Sequence, residues 1–228
     1  MDSNAAAERL SVTVSTGLRE VATVQTALTV QRWDEEQTAW VARKCARDFP
    51  HVREPAGQHF AYFGVRPYLV THDENCNLVT LTGWAQMLGG IAGTSITNKF
   101  SASFGRIGAG TSTTAPTAAD TKLGGDTGGG STTSYYQLVS GAPTIATASA
   151  PATLTFSASF GSGVANFAWN EFGTDNYSAS GVTTQGLGAA VIFFNHGLSS
   201  QGTKLVGQTW TATETISFGN PSGAGTVN

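Results

Sequence analysis

The side chains that could carry out chemistry are few and widely spaced. The four histidines are His51, His59, His72 and His196, and none stands in a His-Glu-x-x-His or His-x-His frame. We therefore predict surface or interface histidines and no metal site. A metal site at His51 and His59 stays open only if other ligands meet them in space.

Acidic residues are equally sparse in the second half of the chain. Glu171 follows Trp169 and Asn170 within an apolar stretch, and Asp175 comes soon after. A glycosidase needs two carboxyl groups about 5–10 Å apart, which spacing in sequence cannot establish. A hydrogen-bonded acid at a strand end is the favoured interpretation of Glu171. With no Gly-x-Ser-x-Gly motif present, we predict that the chain is not an enzyme and binds no cofactor; a cell-wall hydrolase is the enzymatic alternative.

One glycine-rich stretch invites comparison with a phosphate-binding loop. Residues 105–110 are GRIGAG, which has the spacing G-x-x-G-x-G rather than G-x-G-x-x-G. A dinucleotide loop also requires a strand-helix-strand unit, and the surrounding sequence does not predict one. The stretch instead predicts a bend after an edge strand.

Composition excludes several classes of protein. The 228 residues carry a formal charge of −3, and only 12% are charged. With a pI near 5.7 the chain has no overall basic footprint for nucleic acid. No apolar run approaches the roughly 18 residues of a membrane span, and the opening MDSN is unlike a secretory signal. Cys45 and Cys76 are expected to be reduced structural thiols made in a cytosol.

The charges concentrate in the first third of the chain. Residues 1–75 hold eight of the twelve Lys and Arg and ten of the fifteen Asp and Glu, but only three of the 28 glycines. This break predicts an N-terminal arm with a helix (1–60), a β-domain (61–220) and a short tail (221–228). In the arm, Asp34 and Gln37 form a capping-box pattern ahead of a helix that Pro50 ends. The stretch 18–33 fits either a strand or an amphipathic helix.

The rest of the chain is predicted to be β-rich. We expect a strand at 61–65, a hairpin around a turn at 73–75, a short helix capped by Thr82 and stopped by Gly89, and a strand at 100–104. Glu214 is unusual on the otherwise apolar face of the last strand, so it lies at a strand end or pairs across an interface. The fold class predicted is a mostly β, antiparallel sandwich or jelly roll. Five further strands are expected, at 134–140, 152–160, 164–171, 188–194 and 207–218.

Three stretches together resemble a family of tailed-bacteriophage virion proteins. The resemblance covers about residues 66–218, in the same order as the family. His196 stands where the family has Arg, and Phe172 where it has Trp, so a basic contact at 196 is expected to be lost. The stretches are 74–84 (ENCNLVTLTGW), 106–115 with 118–123 (RIGAGTSTTA and AADTKL), and 165–173 (ANFAWNEFG) with FNH at 194–196, GTK at 202–204 and QTWTAT at 208–213.

The resemblance implies a non-enzymatic virion component. Its members are head decoration (cement) proteins or minor tail and fibre proteins. We expect a homo-oligomer, such as a trimer, that binds the major capsid protein in the virion and neither nucleic acid nor membrane. A tail component with a receptor- or glycan-binding face is the alternative, with Tyr135, Tyr136 and Tyr177 as exposed loop aromatics. The residues expected at the capsid interface are Arg9, Arg19, Arg32, Trp33, Trp40, Arg43, Lys44 and Arg47, with the two tryptophans buried in the core or at that interface.

Overall fold

The computed structural model consists mainly of β-strands in two antiparallel sheets, which pack face to face over a shared core. This arrangement confirms the predicted mostly β sandwich. The structure describes residues 12–13, 21–74, 77–93, 100–127, 132–148, 151–176 and 192–219.

The first sheet is formed by strands from both ends of the chain. Its members are β1 (Val12–Thr13), β2 (Val21–Trp33), β3 (Leu69–Glu74), β7 (Thr144–Ala146), β8 (Ala152–Phe160) and β11 (Thr209–Gly219). Their order is β1-β2-β11-β8-β7, and β3 also pairs with β2. The first and last long strands of the described chain are therefore neighbours.

The second sheet is formed by strands from the middle of the chain. Its members are β4 (Asn77–Val79), β5 (Gly105–Gly110), β6 (Ser134–Leu138), β9 (Ala168–Asn176) and β10 (Ile192–Thr203). Their order is β4-β10-β9-β5-β6. Three helices, α1 (Glu35–Asp48), α2 (Gly57–Tyr62) and α3 (Leu81–Ile91), join strands outside the two sheets.

The core between the sheets is rich in aromatic rings. Trp169 packs edge-on against Phe160 and Trp210, with ring centroids 4.7 and 4.9 Å apart. On β11 the side chains of Trp210, Ala212 and Ile216 are buried, as the period-two alternation of this strand predicts. Burial of large rings from both sheets supplies the main apolar contribution to stability.

Helix α1 forms as its sequence predicts. Asp34 accepts a hydrogen bond from the amide of Gln37, and the Gln37 side chain accepts one from the amide of Asp34, which completes the capping box. Val41 and Cys45 on its inner face enter a second small core with Trp33 and Phe60. Trp33 is thus buried, as expected.

The boundary predicted at residue 60 does not coincide with a structural boundary. The stretch 18–33, left open between strand and helix, forms strand β2 from Val21 onward, and β2 lies inside the first sheet with β11 on one side. Leu28 and Val30 on β2 are fully buried in the main core. Alternation with Thr and Val places these side chains inward, so residues 21–33 belong to the sandwich and not to a detachable arm.

Two predictions for residues 61–81 are wrong. Residues 61 and 62 lie in α2 rather than in a strand. The strands of the predicted hairpin, β3 and β4, do not pair with each other, because β3 pairs with β2 in the first sheet and β4 with β10 in the second. The sequence of two short strands beside a turn does not show which strands they pair with. Here β3 pairs with a strand of the first sheet and β4 with a strand of the second sheet.

The glycine-rich stretch and the helix before it also differ from expectation. Helix α3 begins two residues earlier than predicted, because Thr80 rather than Thr82 is its N-cap, and it continues through Gly89 and Gly90. Residues 101–104 form turns rather than a strand. Residues 105–110 form β5, a fully buried strand between β6 and β9, instead of a bend.

The five remaining predicted strands are all present in the predicted order, and β7 is an additional strand that was not predicted. Strands β6, β8 and β11 lie within two residues of the predicted limits. Strand β9 begins four residues later than predicted and continues to Asn176, and β10 continues to Thr203. The extended parts of β9 and β10 carry buried polar residues, among them Asp175 and His196.

Candidate functional site

The most strongly organised polar group in the described chain is a buried cluster around one glutamate. We call it the Glu171 cluster: the side chains of Glu171 on β9, His196 on β10 and Asp120, with the backbone amides of Ser112, Gly124 and Gly125. Its backbone donors lie in the connection between β5 and β6. The cluster therefore joins that long connection to the two central strands of the second sheet.

Both oxygens of Glu171 are fully engaged, although its side chain has no exposure to solvent. Oε1 accepts hydrogen bonds from the amides of Ser112 (3.1 Å) and Gly125 (2.7 Å). Oε2 accepts one from the amide of Gly124 (2.7 Å) and one from Nε2 of His196 (2.9 Å). Burial raises the pKa of this carboxyl, but the hydrogen bonds from His196 and the three amides outweigh burial and hold the pKa below its ordinary value.

His196 bridges two carboxylates. Its Nδ1 lies 2.6 Å from Oδ2 of Asp120, and its Nε2 faces Glu171. Burial lowers the pKa of the imidazole, but hydrogen bonds to Glu171 and Asp120 outweigh this and raise the pKa above its ordinary value. Because both partners are acceptors, both ring nitrogens donate and the ring carries a positive charge.

Asp120 completes the chain of contacts at the edge of the cluster. Thr117 donates to it from its amide (2.8 Å) and from its hydroxyl (2.7 Å). Partial burial raises the pKa of Asp120, and the hydrogen bonds from Thr117 and His196 overcome that effect and keep it below its ordinary value. Two carboxylates with depressed pKa values around one protonated histidine form a salt-bridged unit.

The close approach of Glu171 to the backbone requires glycine at several positions. A Cβ built on Gly110 would overlap Oε1 of Glu171, and one on Gly125 would lie 2.8 Å from the same oxygen. Larger residues at these positions would displace the carboxylate. The glycine pattern that resembled a phosphate loop thus accommodates an internal carboxylate.

This geometry favours a structural role for the cluster over proton transfer. A carboxylate held below its ordinary pKa keeps its charge at neutral pH, and an imidazole that donates to two carboxylates keeps its proton. The hydrogen bonds instead connect the segment from Ser112 to Gly125 to β9 and β10. Glu171 was predicted to be a hydrogen-bonded acid at a strand end; it is hydrogen-bonded, but in the interior of β9.

A second buried glutamate lies between the two sheets. Glu214 on β11 is fully buried, and its Oε1 accepts hydrogen bonds from the Nδ2 groups of Asn77 (2.6 Å) and Asn195. Its Oε2 has no hydrogen-bond partner among the described residues. Burial raises the pKa of Glu214 to about 7, because the two amides offset only part of the desolvation. The side chain pairs across the interface between the sheets, one of the two positions expected for it.

A buried ion pair joins β5 and β9, which are neighbours in the second sheet. Arg106 on β5 donates from Nε to Asp175 on β9 (2.8 Å), and its guanidinium lies 4.6 Å from the ring centroid of Tyr136. Tyr136 and Tyr135 are buried on β6, so the prediction that they are exposed loop aromatics is wrong. The two rings lie on opposite faces of the strand: Tyr135 is in the main core, and Tyr136 packs with Leu123 and Phe193 in a separate small core. Tyr177 lies outside the described residues.

The residues expected at the partner interface fall into three groups. Arg32 is buried: its Nη2 donates to Gln201 (2.6 Å) and its guanidinium lies over Trp210, so it is not a surface charge. Trp40 was expected to be buried in the core or at the interface; 38% of it is exposed in the single chain, so it does not lie in the core, and its burial at an interface stays a prediction. Arg43 and Arg47 are exposed and Lys44 is half-buried on α1. Arg9 and Arg19 lie outside the described residues.

The stretches that carry the family resemblance meet in space. The Glu171 cluster takes Ser112 and Asp120 from the second stretch and Glu171 and His196 from the third. The first stretch joins them where Leu81 donates its amide to the carbonyl of Ala118 (2.8 Å). His196 contacts two carboxylates within the chain, Asp120 and Glu171. The loss of a basic contact relative to the family stays a prediction.

Another pair of residues from these stretches meets at a second point. Lys204 is fully buried, and its Nζ donates to the carbonyls of Gly161 (2.8 Å) and Val164 (2.9 Å) and to Oδ1 of Asn166 (2.9 Å). Burial lowers the pKa of this lysine to about 8. Lys204 thus fixes the turn between β8 and β9. The sequence analysis predicted neither this role of Lys204 nor the Glu171 cluster. The residues of both lie in the stretches that carry the resemblance, which was the one signal that could have identified them.

Among the described residues no group of three or more His, Cys, Asp or Glu side chains could hold a metal ion. In the same part of the chain, no helix has the length and apolar character needed to cross a membrane. No known protein family, curated protein or solved structure matches the chain.

Proposed function

We propose that the chain is a non-enzymatic structural protein of a tailed-bacteriophage virion, and specifically a decoration protein on the outside of the head. The observation that supports this proposal is the convergence of the resembling stretches on the Glu171 cluster. Residues far apart in sequence, from Ser112 to His196, meet in one salt-bridged unit. This convergence supports the proposal because it gives the resembling stretches a common place in one β-domain.

The proposed mechanism is the addition of interface area. Each copy binds the major capsid protein across neighbouring subunits, and copies of the chain associate with one another, for example as a trimer. Binding only to the assembled shell stabilises that shell by mass action, and the effect is multiplied over many copies. A sandwich held by ion pairs, between two strands at Arg106 and Asp175 and between a strand and a connecting segment at His196 and Asp120, loses little conformational entropy on binding.

The enzymatic alternative finds less support in the site. Glu171, the acid considered for a hydrolase, is occupied by four donors of the chain itself. The tail-component alternative depended on exposed loop aromatics, and two of the three, Tyr135 and Tyr136, are buried. A decoration protein is therefore the function that we put forward for testing.

The experiment is a copy count with location. Virions of the phage that encodes the chain are purified, heads and tails are separated, and each fraction is quantified by mass spectrometry with the major capsid protein as the internal reference. We expect hundreds of copies per particle, all in the head fraction. Absence from heads would refute the decoration proposal, and a count of three, six or twelve in the tail fraction would identify a tail component instead.

A further inference from the structure

Helix α1 presents an unusual outer face. Trp40, Arg43, Lys44 and Arg47 are spaced i, i+3, i+4 and i+7, so they share one side of the helix. Val41 on the inner side is fully buried in the second small core. The outer face therefore combines an exposed indole with three cations on a helix whose position is fixed by packing.

The indole of Trp40 begins a row of aromatic rings that continues onto α2. Ring centroids are 6.0 Å apart between Trp40 and Phe63, 5.0 Å between Phe63 and Tyr62, and 5.1 Å between Tyr62 and Phe49. The two terminal contacts leave Trp40 38% exposed and Tyr62 69% exposed. We call these four rings the aromatic ridge. Exposed rings held by neighbouring rings lose little freedom on binding, which favours a recognition surface.

The charge beside the ridge is opposite in sign to that of the whole chain. Lys44 lies with Nζ 5.1 Å from the Trp40 ring centroid. Arg47 is paired with Asp48 at 2.6 Å but remains largely exposed, and Arg43 is exposed. Arg43, Lys44, Arg47 and Asp48 together carry a net +2. Glu36, one turn before Trp40 on the same side of α1, reduces this face to +1, whereas the chain as a whole is at −3.

We propose that the aromatic ridge and the three cations of α1 form a docking surface for an acidic patch on a protein partner. Tryptophan, tyrosine and arginine are the residues that dominate binding energy at protein interfaces, and cations in the rim select an acidic partner. The inference rests on the proposed function, which makes this partner the outer surface of the major capsid protein.

Two other occupants fit the surface less well. A second copy docked across a twofold axis would bring the same cations face to face, which is unfavourable. A nucleic acid requires many cations along its phosphates, whereas this surface has three, of which Arg47 is already paired with Asp48. An acidic protein surface matches both the rings and the local charge.

The test uses heads purified from a phage in which the gene for the chain is deleted. The full-length chain is added, and binding is measured by co-sedimentation over a range of NaCl concentrations. We expect Trp40→Ala to weaken binding about tenfold, as loss of one central aromatic contact does. We expect the charge reversals Arg43→Glu and Lys44→Glu to weaken it further at low salt and to flatten its salt dependence.

The matched control is Ile145→Ala on β7. This side chain is 71% exposed and lies in the strand that ends the first sheet at the opposite side from β1. It should bind as the unaltered chain does. Thermal unfolding of each variant verifies the fold, which we expect to persist because Trp40, Arg43 and Lys44 are at the surface.

The outcomes separate the inference from the proposed function. Binding by all three α1 variants with unaltered affinity would overturn the inference and leave a decoration protein that docks by another face. Failure of the unaltered chain to bind depleted heads would overturn both. If sedimentation velocity shows that Trp40→Ala dissociates a self-associated form, or if purified DNA binds at the same salt, the occupant is not an acidic protein surface and the inference is wrong.

Discussion

Two glutamates, Glu171 in the second sheet and Glu214 in the first, are both fully buried, yet their pKa values move in opposite directions. Glu171 meets four hydrogen-bond donors on its two oxygens, one of them a protonated histidine. Glu214 meets two neutral amides on one oxygen, and its other oxygen has no partner in the described part of the chain.

The comparison shows that the hydrogen-bond donors around a buried carboxyl group, and not burial alone, determine whether it is charged. Desolvation raises the pKa of both residues. Only around Glu171 do charge-assisted and backbone hydrogen bonds exceed it. Glu171 therefore acts as a charged anchor for the connection between β5 and β6, whereas Glu214 is close to half-protonated near neutral pH and lies at the contact between the two sheets.

The largest expected effect comes from neutralising Glu171. Glu171→Gln should lower the free energy of unfolding at pH 7.5 by about 4 kcal/mol, because it leaves His196 charged and buried and points an amide N–H at backbone donors. The measurement is urea denaturation followed by tryptophan fluorescence. Glu214→Gln is the matched control, since it removes a buried carboxyl of the same size that lacks a cationic partner. An equal loss of unfolding free energy in both variants would show that the four donors around Glu171 do not make its charge more stabilising than that of Glu214.

The second expected effect is a pH dependence that Glu214 contributes. Its pKa is about 7 in the folded state and near 4.5 when unfolded, so the folded state binds the extra proton. Stability from this group is full below pH 4.5 and is lost as pH rises through about 7, by about 3 kcal/mol in total. The stability of the unaltered chain relative to Glu214→Gln should fall by that amount between pH 4.5 and 8. A constant difference across this range would contradict the assignment.

The smallest expected effect comes from His196→Arg, which replaces a titrating cation in the Glu171 cluster with one that stays charged. His196 has a raised pKa, so its stabilising charge is full below its ordinary value of 6.5 and is lost as pH rises through the higher folded value. His196→Arg retains a charge that does not titrate in this range and can still reach two carboxylates. We expect stability within about 1 kcal/mol of the unaltered chain at pH 6, and a flatter decline above pH 6.5.

The measurement is again urea denaturation, now at closely spaced pH values from 6 to 9. His196→Gln provides the contrast, because it keeps a polar side chain but loses the charge at every pH. If His196→Arg declines with pH as steeply as the unaltered chain, the titrating group above pH 6.5 is not His196. The resemblance drawn from the sequence predicts arginine at this position in the family, so the variant also tests that prediction.

Much of the local structure could be predicted from the sequence. The capping box at Asp34 and Gln37 identified α1, because its hydrogen bonds join residues three apart. Alternation identified β8 and β11 for a similar reason, since period two is a property of one strand. The sandwich class followed from these strands and from glycine-rich turns.

The errors arose where a partner distant in sequence decides the conformation. The strands predicted as one hairpin belong to different sheets, and residues 105–110 form an interior strand because β6 and β9 pair with them on either side. Tyr135 and Tyr136 were predicted to be exposed, although a strand was expected at 134–140, because the sequence does not show what packs against that strand. Pairing partners are set by the whole sandwich, so local pattern could not supply them.

The sequence alone identified helix α1, strands such as β8 and β11, the sandwich class, the absence of an overall basic charge, and the order of the motifs on which the proposed function rests. The tertiary structure was needed to show that Glu171, His196 and Asp120 form one salt-bridged unit, that Glu214 lies between the sheets, and that Trp40 lies outside the core. The difference arises from the range of the interactions, because capping and alternation act over a few residues. The environment that sets burial and protonation is assembled from strands far apart in sequence, as between Asn77 and Glu214, which are 137 residues apart.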